Sequence, residues 1–182
     1  MMISNNLFSL ESKTALVTGG STGLGLMATA GLAAAGAKVF IVSRKLENCE
    51  KAANKINNCN FKGQVVPFKG DLSSEAGISN IVNELHKKNS ELHVLVNNAG
   101  RTWGSNFGSF PYDAWEKVLN LNVSALFHLT QKLVPLLAAS AERDSPTRII
   151  NIGSVMGEVP MGDGAYSYAA SKSAVHHITK IL

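Results

Sequence analysis

Residues 14–25 read Thr-Ala-Leu-Val-Thr-Gly-Gly-Ser-Thr-Gly-Leu-Gly, and this stretch decides the fold. Thr14–Thr18 is short, apolar and β-branched, which predicts a strand. Gly19, Gly20, Gly23 and Gly25 follow, and residues 23–35 read as a helix. Glycines between a strand and a helix let the backbone approach a pyrophosphate, while the helix N-terminus offers free N–H groups and the positive end of its dipole. A flexible turn is the competing reading. It leaves the backbone entropy of so many glycines without a return.

The same alternation continues outward. Lys38–Ser43 (KVFIVS), residues 64–68 (QVVPF), residues 92–97 (LHVLVN) and residues 148–152 (RIINI) read as further strands. Helical patterns lie between them at Leu46–Asn57, 74–88 and 113–139, and a last helix begins near Ala165. Strands apolar on both faces and alternating with helices predict a parallel sheet covered on both sides. With right-handed crossovers this is an α/β doubly wound Rossmann fold with strand order 3-2-1-4-5. Pro67 in the third strand agrees, because proline is tolerated at a sheet edge and strand three is an edge in that order. The polar stretch 140–146 reads as a solvated loop.

The second strand ends at Ser43-Arg44-Lys45. An acidic residue there would bind a ribose 2′-hydroxyl and select NAD. A hydroxyl and two cations stand there instead. A guanidinium grips a 2′-phosphate through paired charge-assisted hydrogen bonds, so NADP(H) is the expected cofactor, with Ser43 and Arg44 as principal ligands and Lys45 as a weaker one. Ordinary solvated charges are the alternative for Arg44 and Lys45. Their place about 20 residues beyond the glycine turn favours the functional reading.

Tyr168-Ala169-Ala170-Ser171-Lys172 sets a phenol and an ammonium four residues apart, on one helix face. A nearby cation favours the phenolate, so a phenol placed this way can exchange a proton with a carbonyl or an alcohol. Tyr166 is a rival phenol, but the residue four positions on is Ala170. Ser154 closes the fifth strand, at the sheet end where doubly wound folds place their chemistry. Asn122 lies among apolar residues in mid-helix, where a buried amide needs partners.

The spacing Thr18-Gly-x-x-x-Gly-x-Gly25 resembles the fingerprint of the short-chain dehydrogenase/reductase family. Asp71-Leu72, Asn97-Asn98-Ala99-Gly100, Asn122, Ser154, Tyr168 and Lys172 match further family motifs in order. The resemblance runs from Leu10 to Leu182. It implies a catalytic tetrad of Asn122, Ser154, Tyr168 and Lys172, in which the asparagine holds a water of a proton relay to the lysine. It also implies a cofactor site built from Thr18, Gly19, Ser21, Thr22, Gly23, Leu24 and Gly25, from Ser43, Arg44 and Lys45, from Asp71 and Leu72 beside the adenine, and from Asn98, Ala99, Gly100, Tyr168 and Lys172. Asp71, Ser73 and Ser74 also suit a helix cap, and both readings can hold.

Within the family, segments 97–104 (NNAGRTWG), 115–123 (WEKVLNLNV) and 148–172 are similar to the rhamnolipid-type 3-oxoacyl-[acyl-carrier-protein] reductases. That implies a carbonyl substrate of the acyl-thioester or small-molecule kind. Trp103, Met156, Val159 and Met161 are candidates for an apolar pocket, although such residues are more often core.

Composition bounds the rest. The chain has 182 residues, enough for one domain. It is 45% hydrophobic and 16% charged, too apolar for disorder. A net charge of +4 scattered along the chain fits anionic small molecules, not a nucleic-acid partner. Cys49 and Cys59 make no disulfide framework, which predicts a reduced, cytoplasmic protein. No N-terminal signal pattern or long apolar run predicts a membrane. The five histidines have no ligand spacing, so no metal is expected and each reads as core or surface.

The family's fold continues past the Tyr-x-x-x-Lys helix with two strands, a helix and a covering loop, and it assembles as a homo-oligomer. The resemblance therefore implies a single NADP(H)-binding domain over residues 1–182 that is incomplete at its C-terminus. An apolar edge at RIINI, an uncovered nicotinamide side of the site and exposed apolar surface on the helices are the expected consequences. Two functions are expected from this. One is an NADP(H)-dependent carbonyl reductase, and the other is an inactive remnant that binds only the nucleotide or a partner subunit.

Overall fold

A computed structural model describes residues 8–162 and 164–182. Residues 1–7, part of the segment read as carrying no signal pattern, lie outside the described residues. Five parallel strands form one sheet: β1 (Thr14–Thr18), β2 (Lys38–Ser43), β3 (Gln64–Lys69), β4 (Val94–Asn97) and β5 (Arg148–Asn151). Their order is β3-β2-β1-β4-β5, the doubly wound order the sequence predicts. The helices are α1 (Gly23–Ala34), α2 (Leu46–Asn57), α3 (Glu75–Lys88), α4 (Tyr112–Leu119), α5 (Ala125–Ala139) and α6 (Tyr166–Ile181).

Strand alternation divides the core in two. Leu16, Phe40, Val42, Phe68 and Leu95 point to one face and pack with Ile81 and Leu85 of α3 and Leu129 and Leu133 of α5. Ala15, Val17, Val39, Ile41, Val65, Val94 and Val96 point to the other face, against Ala33 of α1 and Cys49, Ala52, Ala53 and Ile56 of α2. Large side chains fill the first layer, and small ones let α1 and α2 approach closely in the second. Burying each large side chain contributes about 1.5–3 kcal/mol.

Pro67 pairs opposite Ile41 on β3, which among the described residues has β2 as its one neighbour, so the missing N–H falls at an edge. At the opposite edge, β5 pairs with β4 and leaves Ile149 and Ile150 exposed. The cap reading near Asp71 resolves residue by residue. Ser74 is the N-cap of α3 and accepts from the Gly77 N–H at 3.2 Å, whereas Asp71 Oδ1 accepts from the Ser73 N–H at 2.9 Å in the preceding turn.

The sequence predicts one helix over 113–139, and the structure divides it. A π-helical turn, Asn120–Ser124, joins α4 to α5. A π turn carries one extra residue relative to the α ladder and redirects the side chains within it. It turns Asn122 into the protein, where the residue is buried.

Candidate active site

The glycine turn is fixed from both sides. Gly19 and Gly23 adopt left-handed backbone, with φ of 64° and 52°. Thr18 is buried beneath the turn, and its Oγ1 accepts from the Asn98 and Ala99 N–H groups at 3.0 and 2.9 Å. Asn98 Nδ2 returns a hydrogen bond to the Thr18 carbonyl at 2.9 Å. The TG motif at the end of β1 is thus locked to the Asn-Asn-Ala-Gly segment at the end of β4. A side chain at Gly25 would collide with the Gly19 carbonyl and Asn98 Nδ2. Helix α1 begins after Thr22 with no side-chain cap and no acidic residue in its first turn. Its N-terminal N–H groups therefore remain available to an anion.

A cleft of about 750 Å³ opens along the ends of the strands. Its floor near α1 is Gly19, Ser21 and Thr22; Ser43, Arg44 and Lys45 line the β2 end, Asp71 and Leu72 the β3 end, and Asn98, Ala99 and Gly100 the β4 end. Among the proposed cofactor residues near the glycine turn, Thr18, Gly23 and Gly25 shape this cleft without lining it, and Leu24 faces a neighbouring one. The Ser73 N–H holds the Asp71 carboxyl below its usual range, and the Arg44 guanidinium adds to the effect. Ser43 Oγ donates to the Lys45 carbonyl or shares its proton with Cys49 Sγ, both at 3.1 Å.

The neighbouring cleft, about 540 Å³, is lined by Leu24, Gly153, Met156, Tyr168 and Lys172. Asn98, Gly100 and Arg101 belong to both clefts, so the two meet along the loop after β4. Lys172 is buried, and its Nζ donates to the Ile152 carbonyl at 2.6 Å and stands 5.6 Å from the Tyr168 ring centroid. Burial lowers the Lys172 pKa from the ordinary lysine value. Ser154 caps the short 3₁₀ turn Val155–Gly157, with Oγ accepting from the Met156 N–H at 3.3 Å. Asn122 lies behind this arrangement. Its Nδ2 donates to Ser171 Oγ at 2.9 Å, and Ser171 Oγ donates to the Tyr168 carbonyl at 2.7 Å.

Of the four residues proposed for an apolar pocket, Met156 lines the second cleft. Trp103, Val159 and Met161 do not line it and are 45–54% exposed. Arg101 lines both clefts and follows directly on the Asn-Asn-Ala-Gly match, but carries no motif signal of its own. Tyr166, the rival phenol, packs edge-on against Phe107 and Phe110, outside the second cleft. His93 is structural: its Nδ1 accepts from the Thr14 N–H at 3.1 Å. Among the described residues, no group of three His, Cys, Asp or Glu could hold a metal ion, and no helix is long and apolar enough to cross a membrane.

The short-chain dehydrogenase family model matches residues 13–182. The chain belongs to the short-chain dehydrogenase family. It is 46% identical to the rhamnolipids biosynthesis 3-oxoacyl-[acyl-carrier-protein] reductase of Pseudomonas aeruginosa, over 96% of this chain and 67% of that protein. It is 32% identical to the 5-keto-D-gluconate 5-reductase of Escherichia coli, over 97% and 66% respectively. Among solved structures, the Pseudomonas aeruginosa RhlG/NADP active-site complex superposes with a TM-score of 0.89 at 45% identity, covering 96% of this chain and 67% of that one. A metagenomic short-chain oxidoreductase in complex with NADP gives 0.84 at 28% identity, covering 94% and 75%. The chain spans about two thirds of the length of the curated family members it matches.

Proposed function

We propose that the chain is an NADP(H)-dependent oxidoreductase that interconverts a carbonyl and a secondary alcohol, with a 3-oxoacyl thioester as substrate. One observation carries the reading. Tyr168 and Lys172 face a cleft that shares Asn98, Gly100 and Arg101 with a longer cleft ending at Ser43 and Arg44. The longer cleft suits a dinucleotide phosphate. Its glycine turn admits no Cβ at Gly25, α1 presents an uncapped N-terminus, and Arg44 lines the β2 end, where a guanidinium would hold a 2′-phosphate.

The bound nicotinamide supplies or accepts hydride at the substrate carbon. The protein handles the oxygen. Tyr168 gives its phenolic proton to the carbonyl oxygen as that oxygen becomes an alkoxide. Ser154 donates a hydrogen bond to the same oxygen and holds it at the phenol. Lys172 is anchored by the Ile152 carbonyl and stands over the Tyr168 ring, where its ammonium stabilises the phenolate that is left. Asn122 supports the helix that carries both residues through Ser171. The 3-oxoacyl substrate is supported by the likeness to the Pseudomonas reductase, whose name specifies a 3-oxoacyl-[acyl-carrier-protein].

Self-association is supported by Tyr112 and Trp115 on α4 and by Phe127 and Val134 on α5, all exposed. Free Cys49 and Cys59 support a reducing, cytoplasmic setting.

The test is carbonyl-dependent oxidation of NADPH by the purified chain, with a 3-oxoacyl thioester. The Tyr168→Phe variant is expected to bind nucleotide and lose turnover. Nucleotide binding by the parent chain without turnover on any carbonyl overturns the reductase reading.

A further inference from the structure

We infer that His176 is a positioning residue for Ser154. Its imidazole accepts the Ser154 backbone N–H at Nε2, at 3.2 Å, and so sets where the serine hydroxyl stands. The inference rests on the role given to Ser154 above.

Helix α6 grips the segment 152–157 at three points. Lys172 Nζ donates to the Ile152 carbonyl at 2.6 Å, His176 takes the Ser154 N–H, and Ser173 Oγ donates to the Gly157 carbonyl at 2.6 Å. The first and third grips hold carbonyls. The second is the one that touches Ser154 itself. Glycines on either side make room for the ring. A Cβ at Gly153 would collide with Nε2, and one at Gly157 would stand 2.9 Å from Cε1. The segment is therefore shaped to lie against an imidazole.

An acceptor at Nε2 requires the ring to be neutral with its proton on Nδ1. Nδ1 is buried and has no hydrogen bond to a described residue, with Glu158 Oε1 3.3 Å away but out of line. Along α6 the nearest charged groups are Lys172 and Lys180, one turn away on either side; from the loop, the facing charge is Glu158. Without that acceptor the Ser154 anchor would be lost and the hydroxyl would no longer be held for the carbonyl oxygen, so carbonyl affinity falls while the dinucleotide cleft is untouched.

The experiment uses the full chain with NADP⁺ bound and reads the anchor first without turnover. In imidazole ¹⁵N spectra at neutral pH, His176 is expected to carry its proton on Nδ1 and to show an unprotonated, hydrogen-bonded Nε2. A proton on Nε2 overturns the inference. The His176→Leu variant removes the acceptor and is expected to speed amide exchange at Ser154 about tenfold. The His176→Gln variant offers a carbonyl acceptor in place of the imidazole, and should restore protection. If the Leu variant does not fold, the parent tautomer and the Gln variant decide. Where turnover is present, the Leu variant should raise KM for the carbonyl about tenfold with the NADPH Kd unchanged. Unchanged Ser154 exchange in a folded Leu variant overturns it. Because the spectra and exchange need no substrate, failure of the reductase reading is distinguishable from failure of this one.

Discussion

The side chain of Asn122 closes a pair of hydrogen bonds with the backbone of Arg101. Its Oδ1 accepts the Arg101 N–H at 2.9 Å, and its Nδ2 donates to the Arg101 carbonyl at 2.9 Å. The remaining Nδ2 hydrogen goes to Ser171. Both amide hydrogens are thus spent on holding the loop after β4 to α6. The Asn122→Ala variant is expected to lose about 2–3 kcal/mol of stability, because buried partners are left unpaired. Urea unfolding checks this. A loss under about 0.5 kcal/mol would mean that the pair is not a structural tie.

Gly25 is constrained by its neighbours, not by its own backbone angle. A methyl group there would collide with the Gly19 carbonyl and Asn98 Nδ2, so the Gly25→Ala variant must displace the turn. NADPH affinity is expected to fall at least about tenfold, which corresponds to ~1.4 kcal/mol. Fluorescence titration of NADPH reads it, and unchanged binding contradicts a cradle at this turn.

Arg44 is expected to separate the two nicotinamide cofactors. The Arg44→Ser variant should lose about 10- to 100-fold in NADPH affinity, the worth of a charge-assisted contact, and keep its NADH affinity. Equal losses for both cofactors, or a parent chain that does not prefer NADPH, remove the argument from a 2′-phosphate.

Lys172 is expected to titrate below the ordinary lysine value of 10.5, since burial disfavours its charge. The folded chain then holds fewer protons than the unfolded chain between the depressed value and the ordinary one. Stability rises with pH across that window and falls again as the pH drops through the folded value. The Cε resonance of Lys172 in a ¹³C-lysine titration reads this directly. A midpoint level with that of the exposed lysines contradicts it.

His93 works in the same direction at lower pH. Burial, and then the charge of Lys13, depress its pKa below 6.5, while its Nδ1 accepts from the Thr14 N–H. Its contribution is complete above about 6.5 and is lost as the pH falls through the depressed value. Urea midpoints taken from neutral to acid pH should drop in the parent and flatten in the His93→Gln variant. Parallel curves would leave His93 without a part in acid sensitivity.

The layered fold was legible because its signals are local. Strands apolar on both faces, a glycine turn between strand and helix, and Pro67 at an edge each constrain the chain over a few residues, and together they imply β3-β2-β1-β4-β5. The candidate site was legible where motifs lie at strand ends. It was not legible at Arg101, which owes its place to Asn122, or at the π turn, whose one-residue shift leaves no mark in an apolar periodicity. The three exposed residues Trp103, Val159 and Met161 show the opposite failure, since hydrophobicity carries no information on which side chains line a cleft.

The sequence by itself determined the element order, the glycine turn from Thr18 to Gly25, the cations after β2 and the shared helix of Tyr168 and Lys172, because each depends on spacing along one strand or helix. Only the tertiary structure decided that Thr18 is bonded to Asn98, that Asn122 ties Arg101 to Ser171, and that the imidazole of His176 lies against Ser154. Those contacts join residues 21 to 80 positions apart, and the folding of the whole sheet brings them within hydrogen-bonding distance.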